Sequence, residues 1–115
     1  MQYMLLLHAD ENQFAKMTPT QQQEGYAAYL AYADALREAG AYVAGERLRS
    51  ASTATTVRVK DGQTQVLDGP FMETKEQIGG YFLIEAEDLD VALAWAARCP
   101  GARHGVVEVR PIWSM

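Results

Sequence analysis

Thr55-Thr56-Val57-Arg58-Val59-Lys60-Asp61-Gly62-Gln63-Thr64-Gln65-Val66-Leu67 is the stretch that decides how this chain is organised. Thr55, Val57 and Val59 alternate with Thr56, Arg58 and Lys60, the period of two expected of a strand with one face in water. Asp61-Gly62 then supplies a pair that tolerates the positive φ of a two-residue hairpin turn, and Thr64 to Leu67 returns as the partner strand. Each flank of this hairpin reads as strand, helix, strand.

Upstream, residues 2–8 are apolar and end in Ala9-Asp10-Glu11-Asn12, which reads as a buried strand running into a loop. Thr18-Pro19, with Gln21 completing a capping box, opens a helix that Gly40 closes. Its apolar stripe is Tyr26, Tyr29, Leu30, Ala33 and Leu36. Ala41 to Ala44 forms the second strand, with a bend or bulge at Gly45-Glu46. Downstream, Asp68-Gly69-Pro70-Phe71 breaks the sheet, and Gly79 to Glu85 is a strand rich in aromatic and aliphatic residues. Asp88 caps a second helix with Leu89, Ala92, Leu93 and Ala96 on its apolar stripe, ended by Cys99-Pro100-Gly101. His104 to Ile112 is the last strand, with His104, Val106, Glu108 and Arg110 on one face.

The order β-α-β-(ββ)-β-α-β predicts an α+β, ferredoxin-like fold, an antiparallel sheet with two helices on one face. Strands one and five are apolar at consecutive positions, so the sheet's second face also needs cover. A second copy related by a two-fold axis supplies it most simply, and the loop at 69–78 is the alternative.

The length of 115 residues predicts one domain, 1–115. The single Cys99 permits no intrachain disulfide, and residues 1–8 lack the basic start of a signal peptide, which together predict a cytoplasmic protein beginning at Met1. A formal net charge of -5 repels phosphate backbones and argues against a nucleic-acid role. No apolar run approaches the roughly 20 residues that span a bilayer, which argues against a membrane role.

Asp68-Gly69-Pro70-Phe71, followed by Glu73-Thr74-Lys75-Glu76-Gln77-Ile78-Gly79-Gly80-Tyr81, resembles the DGPF signature of the YCII-related (YciI-like) family. Gly45-Glu46, Thr53 to Arg58 and Val107 to Ile112 extend the resemblance over nearly the whole chain. It implies a dimeric α/β barrel of ferredoxin-like subunits in bacteria, with mostly uncharacterised members often encoded near extracytoplasmic-function sigma factors. The resemblance implies, for enzymes of the family, a histidine on the first helix and an aspartate before the last strand. Counted from Gly40, Tyr29 stands at the histidine position and Cys99 at the aspartate position, so the resemblance carries no such dyad into this chain.

The candidate ligand-binding residues are Tyr29, Glu46, Asp68, Lys75 and His104, grouped around an expected pocket between sheet and helices. Asp68 reads first as a turn-tying aspartate and second as a carboxylate facing that pocket, where Lys75 would orient an anionic or carbonyl-bearing ligand. Glu73, Lys75 and Glu76 read equally as a solvated charge cluster, and Glu46, if buried, needs a cation such as Lys75 or Arg47. His104 reads first as a surface histidine; Glu108, about 13 Å along the same strand, is too far to be its partner. His8, Asp10 and Glu11 form a chance-level metal pattern, and no metal or cofactor is expected. The function that follows is binding of a small molecule in a polar pocket of a homodimer, with catalysis left open. The alternative is a non-catalytic accessory or regulatory protein of a sigma-factor system.

Overall fold

The computed structural model describes residues 1–114. Its elements are β1 (Gln2–Ala9), α1 (Glu11–Ala15), α2 (Pro19–Glu38), β2 (Tyr42–Arg47), a 3-10 turn (Ala51–Thr53), β3 (Thr55–Lys60), β4 (Gln63–Asp68), β5 (Gln77–Glu85), α3 (Leu89–Arg98), α4 (Gly101–His104) and β6 (Val106–Pro111).

Local chemistry starts and stops these elements. The Thr18 hydroxyl accepts from the Gln21 N–H while Gln21 Oε1 accepts from the Thr18 N–H, a reciprocal cap that opens α2. Gly40, at φ +70°, takes the left-handed turn that ends it. The Asp88 carboxylate accepts from the Val91 N–H at the start of α3, and Arg98 lies in its last turn. Asp61 and Gly62, at φ +53° and +76°, form the tight turn between β3 and β4.

Four strands pair antiparallel in the order β2-β5-β1-β6, while β3 and β4 pair only with each other. This is the ferredoxin-like α+β arrangement expected, with α2 and α3 packed on one face. Tyr3 and Leu5 of β1 meet Ile84 and Phe82 of β5 across the ladder, and Tyr32, Ala33, Leu36, Ala92 and Ala96 close over them. Leu5, Leu36, Ile84 and Cys99 are fully buried. The edge of Tyr32 meets Phe82 at 5.2 Å and Trp95 at 6.1 Å between ring centres, and its hydroxyl donates to the Trp95 carbonyl at 2.6 Å.

Four local expectations need correction. The loop expected after β1 is instead the short helix α1, capped by Asp10, whose carboxylate accepts from the Asn12 N–H. His104 lies in α4 and not in the last strand, because the turn begun at Pro100 continues until Gly105. The buried side of α2 runs through Tyr32, Ala33 and Leu36, leaving Tyr26 and Leu30 exposed; on α3 Ala92 and Ala96 are buried while Leu89 and Leu93 are exposed. Small residues and flat rings let each helix lie close to the sheet beside Leu36, so Leu30, Leu89 and Leu93 turn outward. Finally, the β3–β4 hairpin has both faces in solvent rather than one, since it leaves the sheet altogether.

Candidate functional site

The face of the sheet away from the helices presents Met4, Leu6 and His8 from β1, Tyr81 and Leu83 from β5, Ala44 and Glu46 from β2, and Val106, Glu108 and Arg110 from β6. At one end of this open face lies a cleft of about 1160 Å³. The sheet supplies His8, Ile78, Val106 and Glu108 as its floor, the segment at Leu48–Ala54 forms one wall, and Pro70–Gln77 the other.

A register shift between Leu7 and His8 sets the floor: Leu7 pairs with Gly80 but His8 with Ile78, so Gly79 is the extra residue of a β-bulge. The extra residue brings Ile78 opposite His8, which the alternation of β1 with Met4 and Leu6 already places on the open face. His8 Nε2 lies 3.0 Å from Glu108 Oε1, reached diagonally across the β1–β6 ladder, in which His8 stands opposite Val106. Two residues further along β6, Arg110 Nε donates to Glu108 Oε2 at 2.6 Å. The Arg110 hydrogen bond first, and then that of His8, hold the Glu108 carboxyl below the usual carboxylate range. An ionised Glu108 only accepts, so Nε2 of His8 is the protonated nitrogen. Nδ1 has no hydrogen-bond partner among the described residues. A carboxylate that fixes the tautomer of an imidazole beside a cleft is the arrangement general acid–base catalysis uses.

The wall at 48–54 is held by Glu11, whose carboxylate accepts from the Ser50 hydroxyl and the Ala51 N–H, both at 2.7 Å. Glu11 is therefore engaged with this wall, Asp10 with the α1 cap and His8 with Glu108. Among the described residues no three histidine, cysteine or acidic side chains gather as metal ligands. Leu48, Ala51, Ala54, Pro70, Phe71, Met72, Ile78 and Val106 make most of the lining apolar, and Arg49 and Lys75 stand at the walls outside any ion pair among the described residues.

Of the five residues singled out from sequence, Lys75 lines this cleft. Glu46 is exposed on the open face opposite Tyr81, away from the lining. Asp68 is exposed at the end of β4, paired with Thr55, and His104 is exposed on α4. Tyr29 is on the helix side, stacked on Phe82 at 6.5 Å. The structure thus does not bring the five together, and the space expected between sheet and helices is filled by the core. His8 with Glu108 was missed as a pair. The alternation did put Glu108 on a polar-bearing face, but its partner depends on the register of β6 against β1, in which Leu6 stands opposite Glu108 and His8 opposite Val106.

Tyr29 and Cys99 both lie beside Gly101: a Cβ there would stand 2.6 Å from the Tyr29 hydroxyl and 3.9 Å from Cys99 Sγ. Burial, reinforced by the Cys99 charge, pushes Tyr29 up to about 12, and burial raises the Cys99 thiol as well. Both are neutral near pH 7 and neither serves as a base there.

Among solved structures the chain is similar to a 5-chloro-2-hydroxyhydroquinone dehydrochlorinase (TftG) from Burkholderia phenoliruptrix AC1100, in complex with 2,5-dihydroxybenzoquinone. The TM-score is 0.53 with 18% identity, covering 99% of this chain and 94% of that one, a likeness of fold. Among curated proteins it is 44% identical over 77 residues to an uncharacterised protein, R00369, of Rhizobium meliloti (strain 1021). That match takes in 65% of this chain and 62% of the relative's own length. The profile of the YCII-related domain matches residues 1–115, as the Asp68-Gly69-Pro70-Phe71 run and its flanks imply, and the chain belongs to the YCII-related domain family.

Proposed function

We propose that this protein binds a small apolar anion in the open-face cleft and that His8, oriented by Glu108, exchanges a proton with it. The observation that carries this reading is the 3.0 Å contact of His8 with Glu108 at the floor of the cleft. It replaces an acid–base pair at Tyr29 and Cys99, where burial keeps both groups protonated. Apolar walls select a ring or short hydrocarbon, while two cations, Arg49 and Lys75, against one acid, Glu76, all outside any ion pair among the described residues, favour a negative charge on it. The structural neighbour's quinone ligand is a cyclic compound of this size, although the two chains share the fold at only 18% identity. In the same reading two copies pair through their open faces, covering Met4, Leu6, Tyr81 and Leu83, and the protein resides in the cytoplasm as a single-domain subunit. Among the described residues no helix is long and apolar enough to cross a membrane.

A thermal-shift screen of small carboxylates and phenols tests the proposal. A ligand at 100 times its Kd adds about 2.7 kcal/mol to stability. His8→Ala and Glu108→Gln should each abolish the response to a hit that shifts the native protein. Hits that stabilise both variants as well as the native chain place the ligand elsewhere and defeat the proposal.

A further inference from the structure

The β3–β4 hairpin pairs only within itself, and a lone two-stranded hairpin is marginal in water. Val57 stands opposite Val66, and Val59 follows on the same face, so one side of the hairpin is a valine surface. These three valines are 60–66% exposed. The base of the hairpin is tied straight by the Gly69 N–H to the Ala54 carbonyl and by the Thr56 hydroxyl to the Gly69 carbonyl, both at 2.7 Å. It therefore projects from the body instead of folding back over its own cleft, and the chain is a slab of 47 × 44 × 18 Å.

The radius of gyration is 16.0 Å, against about 13 Å for a compact chain of this length. The exposed surface is 8419 Å², whereas a monomer of 12.7 kDa exposes roughly 6,200 Å². The excess of roughly 2,000 Å² is the order of area that each chain of an obligate dimer buries. An arm of six residues reaches about 20 Å, enough to cross a four-stranded sheet about 14 Å wide. The walls and floor of the cleft carry further exposed apolar side chains, Phe71, Met72, Ile78 and Val106.

We infer that the hairpin is an exchange arm: in a two-fold pair, the Val57, Val59 and Val66 face of one protomer lies over the cleft of the other and completes it. The inference rests on the cleft being the ligand site and on the chain forming a dimer. Two-fold symmetry makes the contact reciprocal, so both clefts close and both arms are covered at once. Each site then excludes water only when the second copy is in place, which couples ligand binding to dimerisation.

Isotope-filtered NOE spectra of a mixed sample, one copy carbon-13 labelled and the other not, test it directly. Contacts are expected from the Val57, Val59 and Val66 methyls to Met72, Ile78 and Val106 of the partner subunit. A dimer whose hairpin methyls meet only the partner's hairpin, or no partner atom, overturns the arm while leaving the cleft as the ligand site. A one-chain mass by light scattering overturns pairing and arm together, and the response to small anions in the thermal-shift screen then decides the cleft separately. Val57→Thr with Val66→Thr keeps the strand preference while making the face polar. The double variant should raise the dimer Kd at least tenfold, and an unchanged Kd also overturns the arm.

Discussion

The two faces of the four-stranded sheet are opposites. Toward the helices, Tyr3, Leu5, Phe82 and Ile84 pack against Tyr32, Leu36, Ala92 and Ala96, and the polar groups there are held neutral by burial. On the other side the same strands present His8 and Glu108 beside a cleft, 25% and 36% exposed, with Glu108 held ionised by Arg110. The contrast teaches that titratable groups on one side of a sheet can be absorbed into packing while those on the other keep a hydrogen-bonded pair beside a cleft. Tyr29 and Cys99 show the first, His8 and Glu108 the second.

The largest effect should come from emptying the closed face. Leu36→Ala should lower unfolding free energy by about 3–5 kcal/mol in urea titrations, because a fully buried side chain leaves a cavity. Leu93→Ala, on the exposed side of α3, should cost about 1 kcal/mol or less. Equal losses would erase the distinction between a dry and a wet side. Next, Tyr32→Phe removes the donor to the Trp95 carbonyl and should cost about 1–3 kcal/mol by the same measurement. A neutral outcome would mean that water reaches that carbonyl.

Titration sharpens the contrast further. Tyr29 is raised in the fold, so its contribution is full below the ordinary tyrosine value near 10 and is lost as pH rises toward about 12. Tyr29→Phe should remove tyrosinate absorbance that rises only near pH 12, and a loss from the rise near pH 10 instead would refute a closed helix face. Glu108 is lowered, so its pairing holds above the ordinary glutamate value and disappears as pH falls through its depressed one. The His8 ring proton shift, followed by NMR, should report that step, and Glu108→Gln should remove it. The smallest effect on stability is expected from Glu108→Gln itself, with an unchanged denaturation midpoint, since the group lies at the surface.

Much of the fold was legible because its signals are local. Thr18 with Gln21, Gly40, Asp61-Gly62 and Asp88 act over two to four residues, and each ended or began an element where expected. The buried sides of the helices were less legible: α2 carries apolar residues around most of its surface, and the choice of Tyr32 over Tyr26 and Leu30 depends on how closely the helix meets Phe82. The candidate site was least legible. Lys75 was picked out from the sequence, whereas the pairing of His8 with Glu108 joins residues a hundred positions apart.

By itself, then, the amino-acid order determined the alternation of strands and helices, the ferredoxin-like topology and the family, since turns, caps and periodicity need only near neighbours. Tertiary structure alone decided which sheet face holds the core, the register of β6 on β1 that brings Glu108 to His8, and that the hairpin stands clear of the sheet. These depend on ladder register and on how distant segments meet, for which no short stretch of chain carries the information.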